Sequence, residues 1–415
     1  MFIPTSEQRA NRLREVFHWK QIDFQFENET HRQSMFDSGQ FKPGNSIPTS
    51  LALWTDKLFL TLPRFKLGVP ATLAYIQLNQ TDFRLISLLC FLQVHRIFSE
   101  IEANVTSPSL IAYPNWESHD ITVRNITSVL NIHTDPCDRL WVIDSGQIEN
   151  KHEKDPTLIT FDLKTNLQID TQKVKSKTDY KTEPYLADIV VDVTSANCDG
   201  AYAYIADAAN YELIVYSLRG REFHRITHNY FSFDPLGGDL HIDGVHYQTQ
   251  FGIFSLALSP VGRDDHRTLF FSSLASTNQF AVSTVVIQNK TLDTIHSFYE
   301  FKVMGSRGMN AQSGASTFDE ETGVLFYTLI MKHGIACWNS YGADEYSEKA
   351  QGIIVEDENI IYPSDVEVDT SGLLWALSNR LPKFQHGRLL EEDVNIRILS
   401  GSIRTIIKGT MCDAM

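Results

Sequence analysis

The chain has 415 residues, a formal charge of −15 and 11% aromatic residues. That length suits two ordinary domains or one large β domain, and an acidic chain without a basic run excludes the electrostatic footprint of a nucleic-acid binder. No stretch reaches the ~20 apolar residues of a membrane helix; the nearest, residues 85–92, is too short.

In chain order, residues 1–15 read as an N-terminal extension. Residues 19–26 (WKQIDFQF) alternate apolar and polar, which predicts a strand. Residues 27–48 are rich in turn formers. Then comes the first of six similar two-strand phrases: 51–54 and 58–60, 131–135 and 140–144, 188–192 and 202–205, 255–259 and 269–271, 316–319 and 325–327, and 365–369 and 373–377. The last shows the type best. Asp365-Val366-Glu367-Val368-Asp369 alternates, Thr370-Ser371-Gly372 turns, and Leu373-Leu374-Trp375-Ala376-Leu377 returns as an apolar strand.

Between the phrases there is room for two further strands each, such as 157–162 and 167–171 in the second. Residues 149–155 and 173–181 read as charged loops, and 234–239 (DPLGGD) as a turn. Residues 304–313 hold glycines but lack the Gly-Lys-Ser/Thr of a phosphate loop. Residues 80–103 do not fit the repeat. Their Leu85, Leu88, Leu89 and Leu92 have helical spacing, so they read as an external insertion or as translated unspliced sequence. Residues 395–399 and 405–407 predict the last strands. Six such phrases predict an all-β, six-bladed β-propeller forming one domain over 16–415. The strand at 19–26 is expected to complete the last blade and close the ring, which removes an open sheet edge.

None of the five cysteines has metal-site spacing. Cys137 and Cys198 fall in the turns of consecutive phrases, and equivalent turns of adjacent blades lie at one end of a propeller, so these two are expected to pair. Cys337 and Cys412 are left for each other, and Cys90 is odd. Five sequons, at Asn28, Asn79, Asn104, Asn125 and Asn289, join the disulfides in favouring a secreted glycoprotein, although residues 1–17 carry no apolar leader.

Several phrases in this order resemble the insect yellow / major royal jelly protein family: VFHWK at 16–20, SGQFKPGN at 38–45, PRFKLGVPATL at 63–73, YPNW at 113–116, DPL at 234–236, SLAS at 273–276 with QFAVST at 279–284, CWN at 337–339 and SNRLP at 378–382. The resemblance covers residues 16 to 412. It implies a secreted six-bladed propeller with the disulfides Cys137–Cys198 and Cys337–Cys412. It also implies a role in pigmentation, dopachrome conversion in melanin synthesis, or binding of biogenic amines. The missing leader and the 80–103 segment depart from the family pattern.

The first strand of each propeller unit is innermost. Aligning the phrases places Ser50, Asn131, Asp188, Ser255, Ala315 and Asp365 on one ring of the central channel. Two residues on come Ala52, His133, Val190, Ala257, Thr317 and Glu367. Converging carboxylates are costly as mere wall. Asn131, Asp188, Ser255, Thr317, Asp365 and Glu367 are therefore the expected binding set for a small aromatic amine or catechol-derived ligand, with carboxylates on the ammonium and aromatic rings stacking. His133 is the natural proton shuttle of a dopachrome tautomerase. Asp135, Asp192 and Asp369 are expected to bind turn amides instead. Asn131, Asp188 and Glu367 could imitate the oxygen ligands of a propeller lactonase, a lower-ranked alternative; neither a metal nor a cofactor is expected. There is no G-x-S-x-G elbow for serine hydrolysis. The preferred function is dopachrome isomerase-type conversion; the rivals are a non-catalytic amine binder and a structural pigmentation factor. Neither nucleic acid nor membrane is an expected partner, and the oligomeric state is not legible.

Overall fold

A computed structural model describes residues 13–413 except 79–105, 124, 150, 175–182, 292–296 and 343–344. The insertion at 80–103, Cys90, Asn79 and Asn104 lie outside the described residues.

Six four-stranded antiparallel sheets form the blades of a propeller. Their innermost strands are Leu51–Trp54, Val129–Asp135, Leu186–Asp192, Ile253–Leu258, Ser316–Asp319 and Tyr362–Val368. Each touches the next around the ring, and blade 6 touches blade 1. The second strands explain the apolar runs of the repeat. Arg139–Asp144, Val324–Leu329 and Leu373–Asn379 are buried along their whole length, because each is covered on both faces by neighbouring blades. A strand buried on both faces loses the polar alternation of a half-solvated one.

Ring closure follows the expected principle with a different strand. Arg14–Trp19, not 19–26, pairs antiparallel with Ile396–Ser402 and completes blade 6. It also borders the segment before the outer strand of blade 1: the His18 amide donates to the Thr106 carbonyl at 3.3 Å and Trp19 Nε1 to the Pro108 carbonyl at 2.9 Å. The alternation over 19–26 has another cause. Ile22 and Phe24 are buried in the core, while beyond Trp19, which ends the closing strand, the segment makes a single isolated bridge, Phe24 to Leu110. Packing, not a ladder, sets that period.

Two short helices replace expected loop and strand. Glu29–Asp37 is a helix capped by Asn28, whose side chain accepts from the His31 amide at 2.8 Å. Ile403–Ile406 is a helical turn where Thr405–Ile407 read as a strand. Its buried Ile403 and Ile406 pack into the core of blades 5 and 6, so packing overrides β-branched propensity.

Both expected disulfides are present. Cys137–Cys198 joins the turns of blades 2 and 3, and Cys337–Cys412 ties the C-terminal tail to the third strand of blade 5. The sequon residues Asn28, Asn125 and Asn289 are exposed.

Candidate functional site

The site is made by one irregularity repeated in four blades. The register between first and second strands slips between Val129 and Asn131, Leu186 and Asp188, Ile253 and Ser255, and Pro363 and Asp365. Each slip leaves one extra residue, at 130, 187, 254 and 364, and an extra residue bends a strand and re-aims its side chains. All four extra residues line one cavity at the mouth of the central channel, with a free volume of about 40 Å³. Asn131, Asp188, Ala315 and Asp365 line it with them, and Tyr185, Phe254, Tyr362 and Leu381 form its apolar wall.

Asp188 and Asp365 sit at matching positions of blades 3 and 6, which face each other in a ring of six. Each is held in the same way. Asp188 accepts from its neighbour Ile189 and from Leu256 of the next blade, both at 2.8 Å. Asp365 accepts from Val366 at 2.9 Å and from Leu51 of the next blade at 2.7 Å. These amides fix the carboxyls but do not neutralise them. Burial, and then the charge of Asp365, raises Asp188 to about 8. Burial raises Asp365 to about 7. Near neutral pH the pair therefore holds protons that a cation would displace.

The other residues expected on the ring fall into two groups. Asn131 bridges blades, donating to the Ala187 carbonyl at 3.0 Å and accepting from Ser50 Oγ at 3.2 Å. Ser50 itself is buried behind it. Ser255 is fully buried and faces Ser316 Oγ at 2.6 Å, so it joins blades 4 and 5 and does not line the cavity.

The second group lies two residues further along the same inner strands. Glu367 Oε2 accepts from Thr317 Oγ1 at 3.3 Å, and Glu367 Oε1 is 4.0 Å from His133 Nδ1. That nitrogen is buried and makes no hydrogen bond. Burial lowers His133 to about 4, with Arg267 pushing the same way against Asp135. Burial, then Asp365 and Asp188, raises Glu367 well above the carboxylate range. A neutral imidazole thus stands beside a protonated acid, an arrangement suited to moving a proton between two ligand atoms.

The turn aspartates divide. Asp135 accepts from the Cys137 amide at 2.9 Å and from Trp141 Nε1 at 2.7 Å. Asp369 accepts from Ser371, Leu373 and Trp375 Nε1. Asp192 instead meets Tyr204, Gln288 and Arg267 side chains, because its longer turn carries the backbone away.

The aromatic wall lies outside the alternating phrases, yet the sequence carries a signal for it. Tyr185-Leu186-Ala187-Asp188 and Tyr362-Pro363-Ser364-Asp365 repeat a Tyr-x-x-Asp phrase in the two facing blades. Tyr185 also stacks on Phe251, with centroids 4.6 Å apart, and on Phe254 at 6.0 Å.

Comparison with known proteins bears on the whole chain. The family described as Major royal jelly protein matches residues 127–412. The chain is 34% identical over 418 residues to Protein yellow of Drosophila pseudoobscura pseudoobscura, covering 99% of this chain and 70% of that one. It is likewise 34% identical over 418 residues to Protein yellow of Drosophila melanogaster, covering 99% and 72%.

Proposed function

The chain belongs to the major royal jelly protein family, among relatives of the yellow proteins, and we propose that it is a secreted pigmentation-related protein that binds a small aromatic amine at the mouth of its propeller channel. The observation that carries this reading is the facing pair Asp188 and Asp365 beneath a wall of Tyr185, Phe254 and Tyr362. Two carboxylates take an ammonium, and aromatic faces add cation–π attraction and cover the ligand's ring. The cavity of about 40 Å³ admits an ammonium head and a few waters but not a whole ring. The ring therefore rests above the carboxyls, against the aromatic wall. Two disulfides and three exposed sequons support secretion.

A second reading, dopachrome conversion, is favoured by the His133–Glu367 pair, in which His133 accepts a proton and Glu367 supplies one. Charge favours the first reading, because an ammonium draws Asp188 and Asp365 into their charged form, whereas among the described residues no lysine or arginine lines the cavity to pair with the carboxylate of dopachrome. Calorimetry with dopamine and serotonin, run beside the loss of dopachrome absorbance, decides between them. Stoichiometric heat that weakens in Asp188→Asn and in Asp365→Asn and disappears in the double variant supports amine binding. Dopachrome turnover that disappears in His133→Ala supports the enzyme. A protein that shows neither heat nor turnover overturns both.

A further inference from the structure

A second cluster of ligand atoms lies on the outer face of the hairpin Asp239–Ile242 and Val245–Gln248. The turn residues Asp243 and Gly244 both have positive φ, as a two-residue hairpin turn requires. Strand alternation separates the faces. Leu240 and Ile242 pack inward with Tyr362, Leu381 and Phe384, while Asp239, His241, His246 and Gln248 are exposed. The register sets His241 opposite His246, and Asp239 opposite Gln248.

The two imidazoles are nearly parallel, 3.9 Å apart. Both aim Nε2 at the same carboxyl: His246 at Asp239 Oδ1, 2.7 Å away, and His241 at Asp239 Oδ2, 3.6 Å away. One ligand atom from each residue lies within 4.8 Å of the others. We propose that Asp239, His241 and His246 form a binding site for a divalent first-row transition ion, zinc foremost. At zinc–ligand distances of about 2 Å, tetrahedral ligand atoms stand roughly 3–3.5 Å apart. Metal binding requires these exposed side chains to rotate until the triad reaches that spacing. Two imidazole nitrogens select zinc, copper or nickel over calcium and magnesium, which take oxygen. The fourth position is left to water or to the Gln248 amide oxygen.

The scaffold is firm enough for such a site. Asp243 lies 3.4 Å from Arg380 Nε and 3.8 Å from Lys383 Nζ, which tie the turn to the helix Leu381–His386. Ligands on paired strands hold their geometry better than ligands on loops. This site is separate from the channel carboxyls and stands or falls independently of amine binding.

Titration of the metal-free full chain with Co²⁺, followed by Zn²⁺, tests the site. Expected are the visible d–d bands of a tetrahedral centre at one ion per chain, abolished by Zn²⁺. The double variant His241→Ala/His246→Ala should lose them, and Asp239→Asn should weaken binding without threatening the fold. His152→Ala, which alters another exposed histidine–carboxylate pair, should leave the bands unchanged. Absence of the bands in the parent chain overturns the proposal. So does their persistence in the double variant, or their loss in His152→Ala.

Discussion

Asp188 and Asp365 are equivalent residues of facing blades, and their protons would decide how the proposed ammonium is received. Each carboxyl is raised, to about 8 and about 7, mainly by burial, so a cationic ligand must displace protons that neutral pH leaves partly in place. Two outcomes are expected. Dopamine affinity should rise between pH 6 and pH 8, while its ammonium stays charged. The calorimetric heat at pH 7 should change with the ionisation enthalpy of the buffer, because protons leave on binding. Asp188→Asn should remove most of the buffer dependence. A heat that is identical in phosphate and Tris would sink the mechanism. These two residues were legible in the sequence, because the repeat supplies coordinates and a carboxyl at that place departs from its small or neutral siblings. The aromatic wall was harder to read. Tyr185 and Tyr362 lie outside the alternating phrases, and the extra residues at 130, 187, 254 and 364 depend on long-range register, which local sequence does not carry.

At the scale of elements, strands and turns that repeat were legible, and those that occur once were not. The closing strand was displaced toward 19–26 because burial of Ile22 and Phe24 imitates strand alternation. The helix Glu29–Asp37 has no buried residue, so it offers no apolar stripe to find. The tail is different, since Cys412 had a partner to seek. Its disulfide needs a glycine beside it: a Cβ on Gly352 would lie 2.8 Å from Cys337 Sγ and 2.9 Å from Cys412 Sγ. Gly352→Ala should therefore lower unfolding free energy by about 1–3 kcal/mol, the usual cost of overpacking. The cost should shrink in the Cys337→Ala/Cys412→Ala background, where the sulfurs are gone. A double-mutant cycle in denaturant measures this coupling. An equal cost in both backgrounds would show that Gly352 serves something other than the disulfide. Removing the Cys137–Cys198 bridge should itself cost about 2–5 kcal/mol.

For the whole molecule, the channel makes stability depend on pH with a sign that can be worked out. Unfolded aspartates titrate near 3.9, whereas folded Asp188 and Asp365 titrate near 8 and 7. The folded state binds these protons more tightly. Their contribution is complete below about pH 4 and is lost as pH rises through 7 and 8. His133 has the opposite sign: its folded value of about 4 lies below the unfolded value of about 6.5. It favours folding above pH 6.5 and withdraws that favour as pH falls toward 4. Between pH 8 and 6.5, then, the carboxyls act alone, and the melting temperature should rise on acidification. Below 6.5 the rise should flatten as His133 offsets one of them. The net charge of −15 also favours the folded state on acidification, by relieving self-repulsion, so the parent profile alone does not isolate the channel. The comparison with Asp188→Asn does, because the variant changes the overall charge little but removes one raised carboxyl. Calorimetric melting at pH 6.5 and 8.0 should show a smaller difference in the variant than in the parent. Equal differences would mean that the protons are taken up elsewhere and that Asp188 is ionised throughout.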